Sequence, residues 1–314
     1  MNLSVEQLRE NNLSSMIIFM MGIFGMTVNL HVILALKKTN TFGYAFGRIC
    51  MSHTVANFAN AFIFACYVAP ITVLNSELHK HYIGMRAGQA LLLFYYASVL
   101  SHLLTAINRC IVMFFPVKVD QILTKRVTDV TIVLLWGIAI CQVMPYFSSA
   151  CVFEYHTEIF TFQFEKSFCG LIVGKYLDYY FSITMIGIIG ALDFLTIVKI
   201  RLLNKTNQVA VDAEQRRRKE IRFFFQALCQ GFLFMTELIS FFYISTHFEN
   251  KWIRFGFTTC AWMAVHIIDG LIVIGFNKDI RSFRISPCSA NQLTLYVRSS
   301  INATSASTGS VSRN

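Results

Sequence analysis

Seven runs of apolar residues, each long enough to cross a bilayer, leave this chain almost no alternative to a bundle of membrane helices. They extend over approximately 14–36, 47–74, 83–114, 127–149, 171–200, 221–246 and 252–276. A spanning helix needs roughly 20 predominantly apolar residues, and the connections left between these runs are too short for a soluble domain. With 55% hydrophobic and only 14% charged residues, the chain could not clothe a soluble surface. The net charge of +10 would ordinarily raise nucleic acid as a partner. Here the basic residues fall in loops between apolar runs, so the expected partner is the lipid bilayer and not nucleic acid.

The same charges orient the bundle. With the N terminus outside, 20 of the 27 lysines and arginines lie on the inner side and 7 on the outer side, the asymmetry that the positive-inside rule demands. Residues 1–13 carry Glu6, Arg9 and Glu10. They are read as an extracellular N terminus and not as the short basic lead of a cleaved signal peptide. Asn2 and Asn12 each begin an Asn-Leu-Ser sequon; Asn12 abuts the first helix, so Asn2 is the expected glycosylation site. Beyond the seventh run, Ile280 and Phe283 separate from Arg281 and Arg284 on a short amphipathic helix expected to lie on the inner membrane surface. Cys288 follows it, either palmitoylated or a free thiol. The expected organisation is an N terminus over 1–13, a helix bundle with its surface helix over 14–285, and a disordered cytoplasmic tail over 286–314.

Within the bundle, Arg109 ends a stretch of about two dozen residues without a charged side chain after Arg86. A guanidinium is costly in hydrocarbon unless it has a partner or lies near an interface, so Arg109 marks the inner boundary. Pro116 stops the helix just beyond it. On this stretch alone, an arginine that anchors a helix end and one that signals are equally open. Asn29, Asn57 and Asp269 are polar residues flanked by apolar ones on helices 1, 2 and 7, and such groups must find partners in lipid. Seven of the nine cysteines fall inside helices or on the reducing side, and only Cys151 and Cys169 flank an outer loop. A bridge there would close a loop of about 18 residues and contribute roughly 3 kcal/mol; two free buried thiols are the alternative. Between them, Phe160-Thr-Phe-Gln-Phe-Glu165 alternates with period two, which predicts a strand with one aromatic face and a hairpin lid over the bundle.

Seven helices, an outer N terminus, Asn108-Arg109-Cys110 ending the third helix and a surface helix after the seventh together resemble the G-protein-coupled receptors. Gly25 with Asn29, Ala56-Asn57, and Trp136 with Pro145 extend the likeness. Within that group the chain is most similar to the nematode serpentine chemoreceptors of class X. The likeness covers about residues 15–285, through Phe46-Gly47-Arg48-Ile-Cys50, Ala106-Ile-Asn-Arg-Cys110 with Pro116, Cys151 to Cys169 enclosing Phe160-Thr-Phe162, and Asp269-Gly270 with Phe276-Asn277. The sequence departs from the rhodopsin pattern in three places. The third helix begins without a cysteine, helix 6 has no proline, and Asp269-Gly270 replaces Asn-Pro in helix 7.

The resemblance implies an all-α seven-transmembrane bundle in the plasma membrane, sensory cilia included, that binds a small-molecule ligand outside and activates a heterotrimeric G protein inside. It implies coupling residues at Asn108, Arg109, Arg216, Arg217, Arg218 and Lys219, although a basic run at the inner end of helix 6 also satisfies the positive-inside rule alone. Because Asn108 stands where an acid is usual, Glu220 becomes a candidate partner for Arg109. The family's helix 2 acid and helix 7 amide are exchanged here, which predicts that Asn57 and Asp269 face each other. Ligand contacts are expected at Phe94, Tyr95, Asp178, Tyr179, Phe242 and Tyr243, the carboxylate of Asp178 being able to receive a cation or simply meet water; packing is the ordinary role of aromatics in so phenylalanine-rich a chain. No membrane-embedded Ser–His, His-Glu-x-x-His or paired Asp arrangement is present in the sequence. Neither catalysis nor a cofactor nor a metal is therefore expected. A ligand-gated seven-helix channel subunit is the alternative function, and it would place the N terminus inside.

Overall fold

Each apolar run forms one helix, because in hydrocarbon the backbone has no other partner for its N–H and C=O groups. The computed structural model describes residues 4–38, 42–205 and 211–283, without the side chains of 203–205, 211–217, 219 and 220. Seven of its helices are long and apolar enough to cross a membrane: α1 (Val5–Lys38), α2 (Tyr44–Leu74), α3 (Tyr82–Phe114), α4 (Lys125–Phe147), α5 (Phe168–Leu202), α6 (spanning over Ile221–His247) and α7 (Lys251–Phe276). A short α8 (Lys278–Ser282) follows. Ile280 on α8 is fully buried and its carbonyl lies 3.0 Å from His31 Nε2 of α1, so this segment is pinned to the bundle. Asn2, Cys288 and the proposed tail over 286–314 lie outside the described residues.

Two helices begin well before their apolar runs: α6 at Val211, ten residues early, and α1. Helix α1 begins at Val5, nine residues before the apolar run. These polar residues continue the helix because they find partners above the bundle. The Gln7 amide donates to the Thr157 carbonyl at 3.2 Å, and Glu10 pairs with Lys251 at the start of α7.

Three helices are locally widened into π-turns, at Phe64–Val68 in α2, Val173–Tyr180 in α5 and Gly256–Cys260 in α7. In α2 the cause is visible in the sequence. Pro70 has no N–H and its ring crowds the preceding turn, which the extra residue relieves. Pro116 likewise follows the end of α3 at Phe114.

Over the outer end lies an antiparallel hairpin, β1 (Phe153–His156) and β2 (Thr161–Phe164), with Phe153 opposite Phe164 and Tyr155 opposite Phe162. The period-two alternation thus puts four rings on one face, and that face is turned into the bundle. Phe162 lies 5.9 Å from Trp262 and also 5.9 Å from Phe64, centroid to centroid, both edge-on. The lid is fixed at three places. Cys151 and Cys169 are joined by a disulfide. The Thr259 hydroxyl, on the widened turn of α7, donates to the Phe160 carbonyl at 2.8 Å. A Cβ at Gly88 of α3 would stand 2.0 Å from the Phe153 carbonyl oxygen, so only glycine admits the lid this close. Phe160 itself holds φ 53, a left-handed conformation unusual for an aromatic residue, and its fully buried ring packs on Trp252 and Phe255.

Beside the lid, the loop between α2 and α3 buries His79, whose Nε2 lies 3.0 Å from the Thr72 hydroxyl and whose ring meets Tyr155 edge-on at 5.0 Å. Burial lowers its pKa from 6.5 to about 4. Above pH 6.5 the imidazole is neutral whether the loop is closed or open. As the pH falls from 6.5 toward 4, the open form binds a proton that the closed form refuses, so the closed loop is progressively destabilised, by about 3 kcal/mol in the limit at 1.36 kcal/mol per pH unit. We expect amide hydrogen exchange over residues 76–80 to accelerate across that window, after correction for intrinsic rates, and His79→Gln to remove the dependence. Identical protection at pH 7 and pH 4.5 in the unsubstituted protein would contradict the burial argument.

Candidate functional site

Asp269 sits in the middle of the bundle at 1% exposure. Its Oδ2 accepts from the Asn57 amide of α2 at 2.7 Å, and its Oδ1 accepts from the Gln230 amide of α6 at 2.7 Å. His53 Nε2 stands 3.4 Å from Oδ2 and His102 Nε2 3.6 Å from Oδ1. The Asn57 carbonyl oxygen accepts in turn from the Ser98 hydroxyl at 3.0 Å and lies 2.8 Å from His266 Nδ1. Helices α2, α3, α6 and α7 therefore converge on one carboxylate. Asn57 and Asp269 are brought together directly, whereas Asn29 is not part of the pair. Its amide donates to the carbonyls of Gly25 and His266 at 2.9 and 3.1 Å, fastening α1 to α7. Gly270 permits that approach, since a Cβ there would lie 2.8 Å from Val28 Cγ1 and 3.0 Å from Asn29 Oδ1.

His53, Ser98, His102, Gln230 and His266 were not singled out from the sequence. The signal was available: His53 and Asn57, Ser98 and His102, and His266 and Asp269 stand three or four residues apart, each pair on one face of its helix. The donor atoms of His53, His102 and Asp269 lie within 4.8 Å of one another, a spacing at which a transition metal could be held. Both carboxylate oxygens, however, already accept amide hydrogens, and His53 Nε2 is 2.9 Å from the Ser98 hydroxyl. Of the three donors only His102 Nε2 is left without a hydrogen-bond partner among the described residues. We therefore read the cluster as a hydrogen-bonded polar core.

At the inner end, Arg109 Nη2 donates to Asp193 Oδ1 of α5 at 2.7 Å, the two side chains being 3% and 4% exposed. The guanidinium is thus a buried ion-pair partner and does not snorkel to an interface. Its partner among the described residues is Asp193; the side chain of Glu220, the candidate from the sequence, lies outside them. The sequence carried this signal too, because Asp193 is the single acid in the inner half of α5, 15 residues beyond Asp178, and an acid in lipid needs a partner. Arg109 Nε and Nη1 and Asn108 Oδ1 have no partner among the described residues. Asn108 also faces a cavity of about 320 Å³ at the inner mouth, lined further by Tyr44, Phe46, Asp120 and Phe223. Arg218 is exposed on α6, and the side chains of Arg216, Arg217 and Lys219 are outside the described residues.

Beneath the lid is a chamber of about 20 Å³ lined by Tyr95 of α3, Phe153 of the hairpin, Asp178 of α5, Glu237, Phe241 and Phe242 of α6, and Trp262 of α7. The Tyr96 hydroxyl donates to Asp178 Oδ1 at 3.2 Å, and the Tyr95 hydroxyl to Ser182 Oγ at 3.2 Å. The six nominated contact residues divide. Tyr95, Asp178 and Phe242 line the chamber. Tyr179 meets Phe242 edge-on at 4.9 Å and, with Tyr243, lines a groove on the outer side of α5 and α6. Phe94 turns away to Trp136 of α4 at 6.1 Å. Glu237 was missed, although an acid within the apolar run of α6 is the same kind of signal as Asp193.

The family described as "Serpentine type 7TM GPCR chemoreceptor Srx" matches residues 19–277. This chain belongs to that family. Class X relatives from Caenorhabditis elegans include Serpentine receptor class X 45, 25% identical over 307 residues (92% of this chain and 85% of the relative), and Serpentine receptor class X-43, 25% identical over 193 residues (58% of each). Among solved structures, squid rhodopsin superposes with a TM-score of 0.69 at 13% identity, covering 86% of this chain and 83% of that one, a likeness of fold alone. Srx proteins are thus a receptor family and not an enzyme family, carried on the rhodopsin-like bundle that the helix pattern predicts.

In this Srx chain the exchanged Asn57/Asp269 pair should tolerate reversal better than loss. Asn57→Asp alone sets two carboxylates against each other, and Asp269→Asn alone removes the charge around which the donors are arranged; each should destabilise the detergent-solubilised receptor by about 3 kcal/mol. The double exchange keeps one acid and one amide, and should recover at least half of the lost melting temperature. Strictly additive losses would show that the two side chains act independently.

Proposed function

We propose that the protein is a plasma-membrane chemosensory receptor that binds a small molecule in its outer half and activates a heterotrimeric G protein at its inner face. The observation that carries this reading is the Arg109–Asp193 pair. A partly satisfied guanidinium, buried between α3 and α5 beside an inner cavity, is a two-state element. In one state it holds α5; in the other it is released to the carbonyls or the C terminus of an inserted helix. The six sequence-nominated coupling residues, Asn108, Arg109, Arg216, Arg217, Arg218 and Lys219, would frame that inner mouth. The disulfided lid lies at the end of the bundle opposite the basic loops, which supports an outer N terminus, since disulfides persist in oxidising surroundings.

Arg109→Ala leaves Asp193 buried without its cation, a loss of the order of 3–5 kcal/mol, so this variant should fall in surface level as well as in signalling. The separating experiment is the pair Arg109→Met with Asp193→Leu, which should restore surface delivery while nucleotide exchange on the G protein stays at background. Asp193→Asn alone should raise ligand-independent exchange severalfold. Full coupling by the double variant would remove Arg109 from the mechanism. Orientation is checked separately: a glycosidase-sensitive mobility shift abolished by Asn2→Gln is expected, and an N terminus protected inside sealed cells would reverse the topology.

A further inference from the structure

Glu237 is an acid at 5% exposure whose Oε2 has no hydrogen-bond partner among the described residues, and it shares its chamber with a second buried acid, Asp178, at 6%. Two acids enclosed by Tyr95, Phe241, Phe242 and Trp262 have no counter-ion on the walls of the chamber among the described residues. Aromatic faces around buried carboxyl groups are suited to a cation, and attraction between that cation and the carboxylates it would stabilise is strong in such a low dielectric. The chamber's 20 Å³ admits about one water-sized group. A primary ammonium has that size and three N–H donors to divide between the two acids, whereas a trimethylammonium does not fit.

From above, the chamber is closed by the aromatic face of the hairpin, drawn down by the disulfide and seated against Gly88. On the outer side of α5 and α6, a groove of about 490 Å³ shares Leu238 and Phe242 with the chamber. Its other walls include Ile183, Met235, Ile239 and Tyr243, all exposed, Tyr243 at 64%. In a membrane this surface faces acyl chains, and Gly187 leaves open space beside it.

We propose that the ligand is a diffusible amphiphilic primary amine, its ammonium between Asp178 and Glu237 and its apolar body in the groove between α5 and α6. The assignment rests on the receptor reading for its purpose and on the two acids for its chemistry. An aminophospholipid headgroup is disfavoured because its phosphate would be carried within two carbons of the same carboxylates.

The test uses the full chain in phosphatidylcholine nanodiscs with tritiated octylamine, after subtraction of protein-free discs. One saturable site per receptor is expected, with octanol and octyltrimethylammonium competing at least tenfold more weakly than octylamine. Glu237→Gln and Asp178→Asn should each weaken binding at least tenfold. Octylamine should also raise the melting temperature of the unsubstituted receptor, a measurement that needs no variant to fold. Equal competition by octanol, or unchanged affinity in both variants, would overturn the site. So would competition by phosphatidylethanolamine as effective as that of octylamine, which would make the occupant a lipid headgroup. No G protein is present, so a failure to couple would retire the receptor reading and leave this site standing, while equal competition by octanol would do the reverse.

Discussion

A carboxylate in the middle of a lipid-embedded bundle cannot be left to water, and the packing of this protein follows from meeting that demand at Asp269. Its two oxygens take amide hydrogens from α2 and α6, with histidines of α2 and α3 beside them. Apolar side chains could slide past one another at small cost, because lipid tails are as apolar as leucine and give helices no hydrophobic reason to prefer one register. Directional hydrogen bonds to one buried anion do give such a reason. They fix the depth and rotation of four helices at once, and Asn29 adds the fifth through the His266 carbonyl.

Two further polar layers lie above and below that centre, and α3 runs through all three. Tyr95 and Tyr96 reach α5 at the chamber, Ser98 and His102 belong to the core, and Arg109 reaches α5 again at the inner mouth. The outer and inner layers are both incomplete: an oxygen of Glu237 and two guanidinium nitrogens of Arg109 lack partners among the described residues. In the middle layer both oxygens of Asp269 and the Asn57 side chain are paired, while His102 Nε2, His266 Nε2 and Asn29 Oδ1 lack partners among the described residues. The Asp269 carboxylate is thus a satisfied centre between two ends at which an added group would gain hydrogen bonds.

The architecture was legible because the membrane reduces folding to length and hydropathy. Spans, loops, the Pro116 stop and the aromatic strand at Phe160–Glu165 all follow from period and composition. The partners of buried charges were less legible. Arg109 was open to either an interface position or a partner, and Asp193 lies 84 residues away; only the tilt and rotation of α5 bring it there. Phe94 and Tyr95 are adjacent in sequence, but a helix turns successive residues by about 100°, so one faces α4 and the other the chamber. The first turns of α1 were hidden for a different reason. Gln7 and Glu10 look like solvated residues until the hairpin and α7 are placed above the bundle to receive them.

The polar stripe on α6 constrains how a signal could cross the bundle. Gln226 accepts from Asn277 at 2.8 Å, Gln230 donates to Asp269 at 2.7 Å, and Glu237 lines the chamber; at spacings of four and seven residues these three share one face of the helix. With no proline in α6, its backbone keeps every ladder hydrogen bond between chamber and inner mouth and lacks the usual point of kinking. A displacement at Glu237 transmitted along an unbroken helix must therefore act on the contacts of Gln230 and Gln226 together, at the core and at the end of α7. Gly231, whose face is open for a Cβ, is the one place where bending would be easy. A bend there would leave the inner half, with Gln226 and Gln230, in contact with α7 while the outer half moved. Rigid rotation couples the chamber to the inner mouth, and bending at Gly231 uncouples them. The added helical stiffness of alanine at Gly231 tests this without touching any polar partner: it should strengthen coupling between the chamber and the inner mouth, and weakened coupling would show that α6 does not act as one rigid rod.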